Sequence, residues 1–441
     1  MVLHGSNMWR LFGLAFVCVL QACAGGGNNT NNGDIHLNVS YPEYPQTNQP
    51  YYSTELEATP VTSADPDDKV TINTITYDLK RASPDTQGPG FNNNYQQGHW
   101  LPMPHLKFWG QTLTSSACTN AFLEACPAAK IGMPTDDVLS AWRHGWTGLG
   151  VNVMIEDGLK DDHGVITGLL AYRYAPGANY FGLNVIPQWT SNDVFDNQLG
   201  RVPTSYPTRI QLGVVNASYT AAMKELIGRD QTQSPWTQPE LTKARIAYAG
   251  QSVINVNRFK DAGVSGQLTQ FKYSDAVITK AAGNDRLVAD NEPLNWYLAK
   301  DRSINARLLI VGALDRAGSI TEPADIASYS NTAGIDVDVS SRFLLASGTI
   351  PFDYRSVSIN GVVTDLYQGT SFAAPRVAGY VAMLRSKFPN LNATQSASIM
   401  LDTASYDTLR CHQQTGGCDP KIYGRGEANL SRALAPVGRI R

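Results

Sequence analysis

A chain of 441 residues, 42% hydrophobic and 17% charged, carries enough apolar side chain to bury a large core, which excludes a mainly disordered protein. With 35 Lys and Arg against 38 Asp and Glu, the formal charge is -3. No long basic or acidic block interrupts that balance, so recognition of nucleic acid through bulk charge is excluded as well.

The chain opens with an address. Arg10 precedes an apolar run over 11–20, about the length of a secretory h-region and too short to span a bilayer as a mature helix. The run ends in Leu20-Gln21-Ala22-Cys23, which resembles a bacterial lipobox and implies that residues 1–23 form a lipoprotein signal peptide with Cys23 as the lipidated residue. Simple cleavage after the small Ala22 is the alternative. Ala24 follows the cysteine, and in the lipoproteins this segment resembles, a non-acidic residue there favours the outer membrane. Residues 25–33 are all Gly, Asn or Thr, with no apolar content, and predict a flexible tether. Residues 24–134 thus read as tether and N-terminal extension. The part from 34 is rich in Asn, Gln, Pro and Tyr, with a single strand expected at Thr71 to Tyr77. It is read as a packed extension, a degenerate prosegment or a partly disordered spacer.

From 135 to 441, strand patterns alternate with helical ones, which predicts an α/β domain with a mostly parallel sheet and helices on both faces. In Gly150-Val151-Asn152-Val153-Met154-Ile155-Glu156-Asp157-Gly158, period-two alternation puts Val151, Val153, Ile155 and Asp157 on one face of a strand. Counting back from Gly158 selects Glu156 instead, so two carboxylates compete for one role, and strand register favours Asp157. His163 opens a helix six residues later, and six extended residues reach about 20 Å, enough for a tight turn to bring it back to either carboxylate. Of the 7 histidines, His4, His36, His99, His105 and His412 lie in the leader, the polar N-terminal region or between late cysteines, so that His144 and His163 remain. A helix-capping or core histidine is the bland alternative for His163.

Further along, 210–219 reads as a strand ending in Ser218, and 275–285 as a buried strand running into a turn that carries Asn284. Gly369-Thr370-Ser371-Phe372-Ala373-Ala374-Pro375 starts a helix continuing to about Phe388, placing the Ser371 hydroxyl where first-turn N–H groups point outward. Gly369 is expected to turn the backbone sharply, and Pro375 to sit where no N–H is needed. Cys118, Cys126, Cys411 and Cys418 remain after the leader. They allow three pairings, of which the local Cys118–Cys126 and Cys411–Cys418 are simplest. A zinc site of Cys411, His412 and Cys418 is the sharper alternative.

The string G-T-S-x-A-x-P at 369–375 resembles the nucleophile segment of the subtilisin-like serine peptidases, the subtilases. The segments at 147–158, 163–178, 210–219, 281–284 and 308–315 are similar to others of that family, in the order Asp, His, Asn, Ser, and the resemblance runs from about 136 to 435. It implies a subtilisin-like fold and a serine endopeptidase acting on peptides, with Asp157, His163 and Ser371 catalytic, Asn284 and the Ser371 N–H binding the oxyanion, and Ser218 lining the substrate cleft. No cofactor is implied, and no residue set here derives a calcium site. The His segment is one residue shorter than the family's, and the spacer between acid and base is absent. A peptide-binding pseudoenzyme and a subtilase-type acyl transferase are therefore the alternatives.

Overall fold

The computed structural model describes residues 69–72, 75–78, 106–108, 111–113, 137–138, 141, 146–157, 162–184, 209–231, 234–264, 266–350 and 367–434. Six strands form its main sheet: β1 (Asn152–Asp157), β2 (Asn179–Asn184), β3 (Val214–Ala217), β4 (Val277–Ala281), β5 (Leu308–Leu314) and β6 (Phe343–Ser347). Their spatial order is β6-β5-β4-β3-β1-β2, and every neighbouring pair is parallel. Parallel strands need crossovers, which bury both faces of the sheet and explain the near-continuous apolar runs of β4 and β5.

Five helices do most of the covering: α1 (Asp162–Tyr174), α2 (Gln238–Phe259), α3 (Pro293–Lys300), α4 (Thr370–Lys387) and α5 (Ala393–Thr403). Val153, Ile155, Val277 and Val311 pack with Ile166 and Leu170 of α1 and Val377, Val381 and Leu384 of α4. On the other face, Met154, Ile278 and Ile310 meet Tyr248 and Phe259 of α2 and Leu294 and Leu298 of α3. The expected α/β architecture, with a parallel sheet between two helical layers, is therefore present. Each fully buried Val, Leu or Phe in these layers contributes about 1.5–3 kcal/mol.

The sheet order reverses at β1, which has β2 on one side and β3 on the other. At such a switch point the connections leave in opposite directions and open a crevice at the carboxyl ends of the strands, where ligands of open α/β sheets bind.

Helices α1 and α4 approach closely at Gly379. A Cβ built there would lie 2.4 Å from Tyr174 Cβ and 3.2 Å from the Ala171 carbonyl, neither of which can yield without moving α1. We expect Gly379→Ala to destabilise the fold by about 1–3 kcal/mol. Because α1 carries His163 and α4 carries Ser371, the pair expected to be catalytic, the substitution should also lower turnover by about 10²-fold at temperatures where the protein stays folded. Thermal unfolding and peptide turnover on the same sample check both effects.

Three expectations change. The single strand at Thr71 to Tyr77 is two strands, Lys69–Ile72 and Ile75–Asp78, paired antiparallel. The run 210–219 is likewise two strands: Ile210–Gln211 pairs with Phe271–Lys272, and only 214–217 enters the main sheet as β3. Cys411 and Cys418 are joined in a disulfide, which removes both sulfurs from the alternative zinc site. The leader, Cys23, the tether, and Cys118 with Cys126 lie outside the described residues. Among the described residues, no helix is long and apolar enough to cross a membrane.

Candidate active site

Strand β1 ends with two adjacent carboxylates, and its pleat sends them to opposite faces of the sheet. Asp157 faces α1. Its Oδ1 lies 2.9 Å from His163 Nδ1, and its Oδ2 accepts the Thr167 hydroxyl at 3.1 Å. Asp157 is fully buried and His163 nearly so.

Glu156 faces α2, where Arg258 meets it with two hydrogen bonds, Nε to Oε1 at 3.0 Å and Nη2 to Oε2 at 2.6 Å. The Tyr219 hydroxyl donates to the same carboxylate at 3.1 Å. Burial pushes the Glu156 carboxyl above its ordinary value, and the charge and hydrogen bonds of Arg258 pull it back. Glu156 is thus committed to a buried ion pair on the face away from His163.

Strand β3 ends beside them. Its main chain is paired with β1 on one edge and β4 on the other, so no substrate strand can pair with 214–217 themselves. Ser218 is buried, and its hydroxyl accepts a 2.8 Å hydrogen bond from Asn216 Nδ2. Glu292, the N-cap of α3, ties this segment to the next wall by accepting the Ala221 N–H at 2.7 Å and the Asn295 N–H at 2.6 Å.

Strand β4 turns at Gly283, whose φ of 113° lies in a region that side chains disfavour. Asn331 clamps this turn, giving its Nδ2 to the Ala282 carbonyl at 2.9 Å and accepting the N–H groups of Asp285 and Leu287 at 3.1 and 2.9 Å. The next residue is Asn284. Its Oδ1 accepts both the Thr370 N–H at 2.9 Å and the Thr370 hydroxyl at 3.0 Å. Since only an oxygen can accept two donors, the flip of this amide is settled, and Nδ2 lies on the side of Gly369, 3.4 Å from where a Cβ would be.

Ser371 occupies the first turn of α4 and is nearly buried. The ring of Phe372, the next residue, lies 5.4 Å from the His163 ring, centroid to centroid. Gly369 is extended, with φ 168° and ψ 152°, a backbone open to any residue. The sharp turn expected there does not occur, and what the glycine supplies is space beside the Asn284 amide. Pro375 lies inside the helix rather than in its first turn, so the Ser371 carbonyl loses the N–H that position 375 would otherwise donate.

Asp285, immediately after Asn284, is pushed up to about 6 by burial and by the neighbouring carboxylates of Glu292, Asp230 and Glu225. A carboxyl whose folded value exceeds its ordinary 3.8 costs nothing while both states are protonated, and costs progressively more as pH rises from about 3.8 to about 6. We expect Asp285→Asn to raise stability by about 1–3 kcal/mol at pH 8 and to leave it unchanged below pH ~4. Thermal unfolding at the two pH values checks this, and equal midpoints for the variant and the natural chain at pH 8 would contradict it.

The structure therefore draws Asp157 and His163 into direct contact, and brings Asn284 and His163 against the residues that flank Ser371. Ser218 stands at the end of the strand between β1 and β4. Three polar supports were not singled out from sequence for what they hold: Thr167, Asn331 and Thr370. Only Thr167 had a local signal, its spacing of four residues from His163 on one helix.

These features define a class: parallel α/β proteins that gather Asp, His, Asn and Ser at the carboxyl ends of their strands and the start of one helix. The chain belongs to the subtilase family, whose model matches residues 160–426. His163, Asn284 and Ser371 lie within that span, and Asp157 lies just before it. Subtilisin DY of Bacillus licheniformis is 27% identical over 194 residues, covering 43% of this chain and 60% of that protein. A thermostable alkaline protease of Halalkalibacterium halodurans is 29% identical over 143 residues, covering 31% of this chain and 37% of that protein. The chain thus spans less than two thirds of the length of either relative. Among solved structures, the MycP3 protease of the type VII (ESX-3) secretion system aligns over 68% of this chain and 86% of its own, at 19% identity and a TM-score of 0.35.

Proposed function

We propose that this protein is a serine endopeptidase that hydrolyses peptide bonds through an acyl-enzyme. Asp157 holds the His163 imidazole by Nδ1, which leaves Nε2 to take the proton of Ser371 as its Oγ attacks a peptide carbonyl. The Asn284 Nδ2 and the Ser371 N–H receive the oxyanion, and the same imidazole then protonates the leaving amine before water releases the acyl group. An extended peptide runs along the segment that starts at Ser218. The observation that carries this reading is the 2.9 Å contact between His163 Nδ1 and Asp157 Oδ1 at the start of the helix packed against α4.

The proposal extends to location. The apolar run 11–20 and the Leu20-Gln21-Ala22-Cys23 string support an exported lipoprotein held to a membrane, the outer membrane by the identity of Ala24, through lipid on Cys23. Residues 24–134 then connect the anchor to a peptidase domain over 135–441.

A fluorophosphonate probe should label the purified mature protein and leave Ser371→Ala unlabelled, and peptide cleavage should disappear with the label. Absence of both from the natural chain would overturn the reading. Product masses showing a new amide rather than free acid would reassign it to acyl transfer.

A further inference from the structure

On the reading of the carboxylate–imidazole pair given above, we propose that Thr167 is a positioning residue for that pair, holding the Asp157 carboxylate in the plane that faces His163. Thr167 follows His163 by four residues on α1, so the two side chains leave one helical face a turn apart. They converge on one carboxylate: His163 Nδ1 lies 2.9 Å from Oδ1, and Thr167 Oγ1 lies 3.1 Å from Oδ2.

A carboxylate gripped at one oxygen still rocks, because the torsion that orients its plane is broad. A second donor on the other oxygen, delivered from the same rigid helix, removes that freedom. The Thr167 hydroxyl also lies 3.0 Å from the Gly164 carbonyl, three residues back. That arrangement selects one of the two rotamers a helical threonine samples, the one that also aims the hydroxyl at Asp157. Its single hydrogen favours the charged acceptor over the neutral carbonyl. Thr167 and Asp157 are both fully buried, so bulk water cannot substitute for the hydroxyl. A valine would fill the same space and give the pair nothing, which makes the hydroxyl separable from packing.

The test compares Thr167→Val and Thr167→Ser with the natural chain and Ser371→Ala, following peptide turnover against pH, the rate of fluorophosphonate labelling and the unfolding midpoint. Thr167→Val should lower kcat about tenfold with little change in KM. The acid limb of its kcat/KM profile should move to higher pH, because a carboxylate without the hydroxyl presents more of its charge to the imidazole. Thr167→Ser should recover most of kcat and the original profile. If the valine variant does not fold, Thr167→Ala takes its place against serine. A hydroxyl-free variant with natural kcat and pH profile, or a serine variant equally impaired, overturns the proposal while labelling of the natural chain leaves the catalytic reading intact. A natural chain that neither labels nor exceeds Ser371→Ala overturns both.

Discussion

Replacing Asp157 by Asn should lower kcat by about 10⁴ with modest effect on KM, whereas Glu156→Gln should leave kcat within about tenfold while weakening the fold. The two residues are neighbours with similar chemistry, yet their surroundings assign them different work. An amide at 157 that turns its N–H₂ to His163 Nδ1 favours the tautomer with the proton on Nε2, which on the proposed reading can no longer accept the Ser371 proton. The geometry survives and the base is lost. An amide at 156 instead leaves the Arg258 guanidinium buried without its counter-ion, which costs about 3–5 kcal/mol. Glu156→Leu combined with Arg258→Met should recover much of that loss, since paired removal avoids the uncompensated charge. Turnover measured below the lowered unfolding midpoint, with stability from denaturant titration, separates the cases. Loss of kcat in folded Glu156→Gln with retention in Asp157→Asn would reverse the assignment.

On the proposed oxyanion role of its amide, Asn284→Ala should reduce kcat by about 10²–10³ with KM nearly unchanged, the range typical for removing one such donor. A donor aimed at charge that develops only in the transition state contributes little to substrate binding, so the loss belongs in kcat. Thr370→Val should give a smaller effect of the same kind, about tenfold. The Thr370 hydroxyl donates to Asn284 Oδ1 and accepts the Gly283 N–H at 3.1 Å, so it bridges α4 to the turn that carries the amide. Removing it leaves Asn284 Oδ1 with the Thr370 N–H but without the link from the Gly283 turn to α4. Steady-state kinetics of the two variants and the double variant check this: in the double variant Thr370→Val should add almost nothing, because its role passes through the amide. A full additional tenfold loss would contradict that route.

Much of the site was legible because its signals are local. Period-two alternation from Val151 placed Asp157 on the same face as Val153 and Ile155, and the strand has that register. A helix start at Ser371 was legible in Gly369 and the apolar spacing that follows, and α4 begins at Thr370. The roles of neighbouring residues were less legible. Gly369 looked like a turn residue and is extended, because what matters is the amide of Asn284 opposite it, 85 residues earlier in the chain. Asn331 clamps the 282–287 turn from across the fold, through partners more than forty residues earlier in the chain. The run 210–219 looked like one strand, but only 214–217 joins the main sheet, with β1 and β4 on its two edges. No propensity or spacing within a segment encodes such partners.

By itself, then, the amino-acid order determined the alternation of strands and helices, the helix-start position of Ser371 and the turn position of Asn284, since these follow from backbone sterics and side-chain periodicity over a few residues. Only the tertiary structure decided which of two adjacent carboxylates meets the imidazole. A strand sends consecutive side chains to opposite faces, and what waits on each face, α1 with His163 and Thr167 or α2 with Arg258, is set by how distant segments pack.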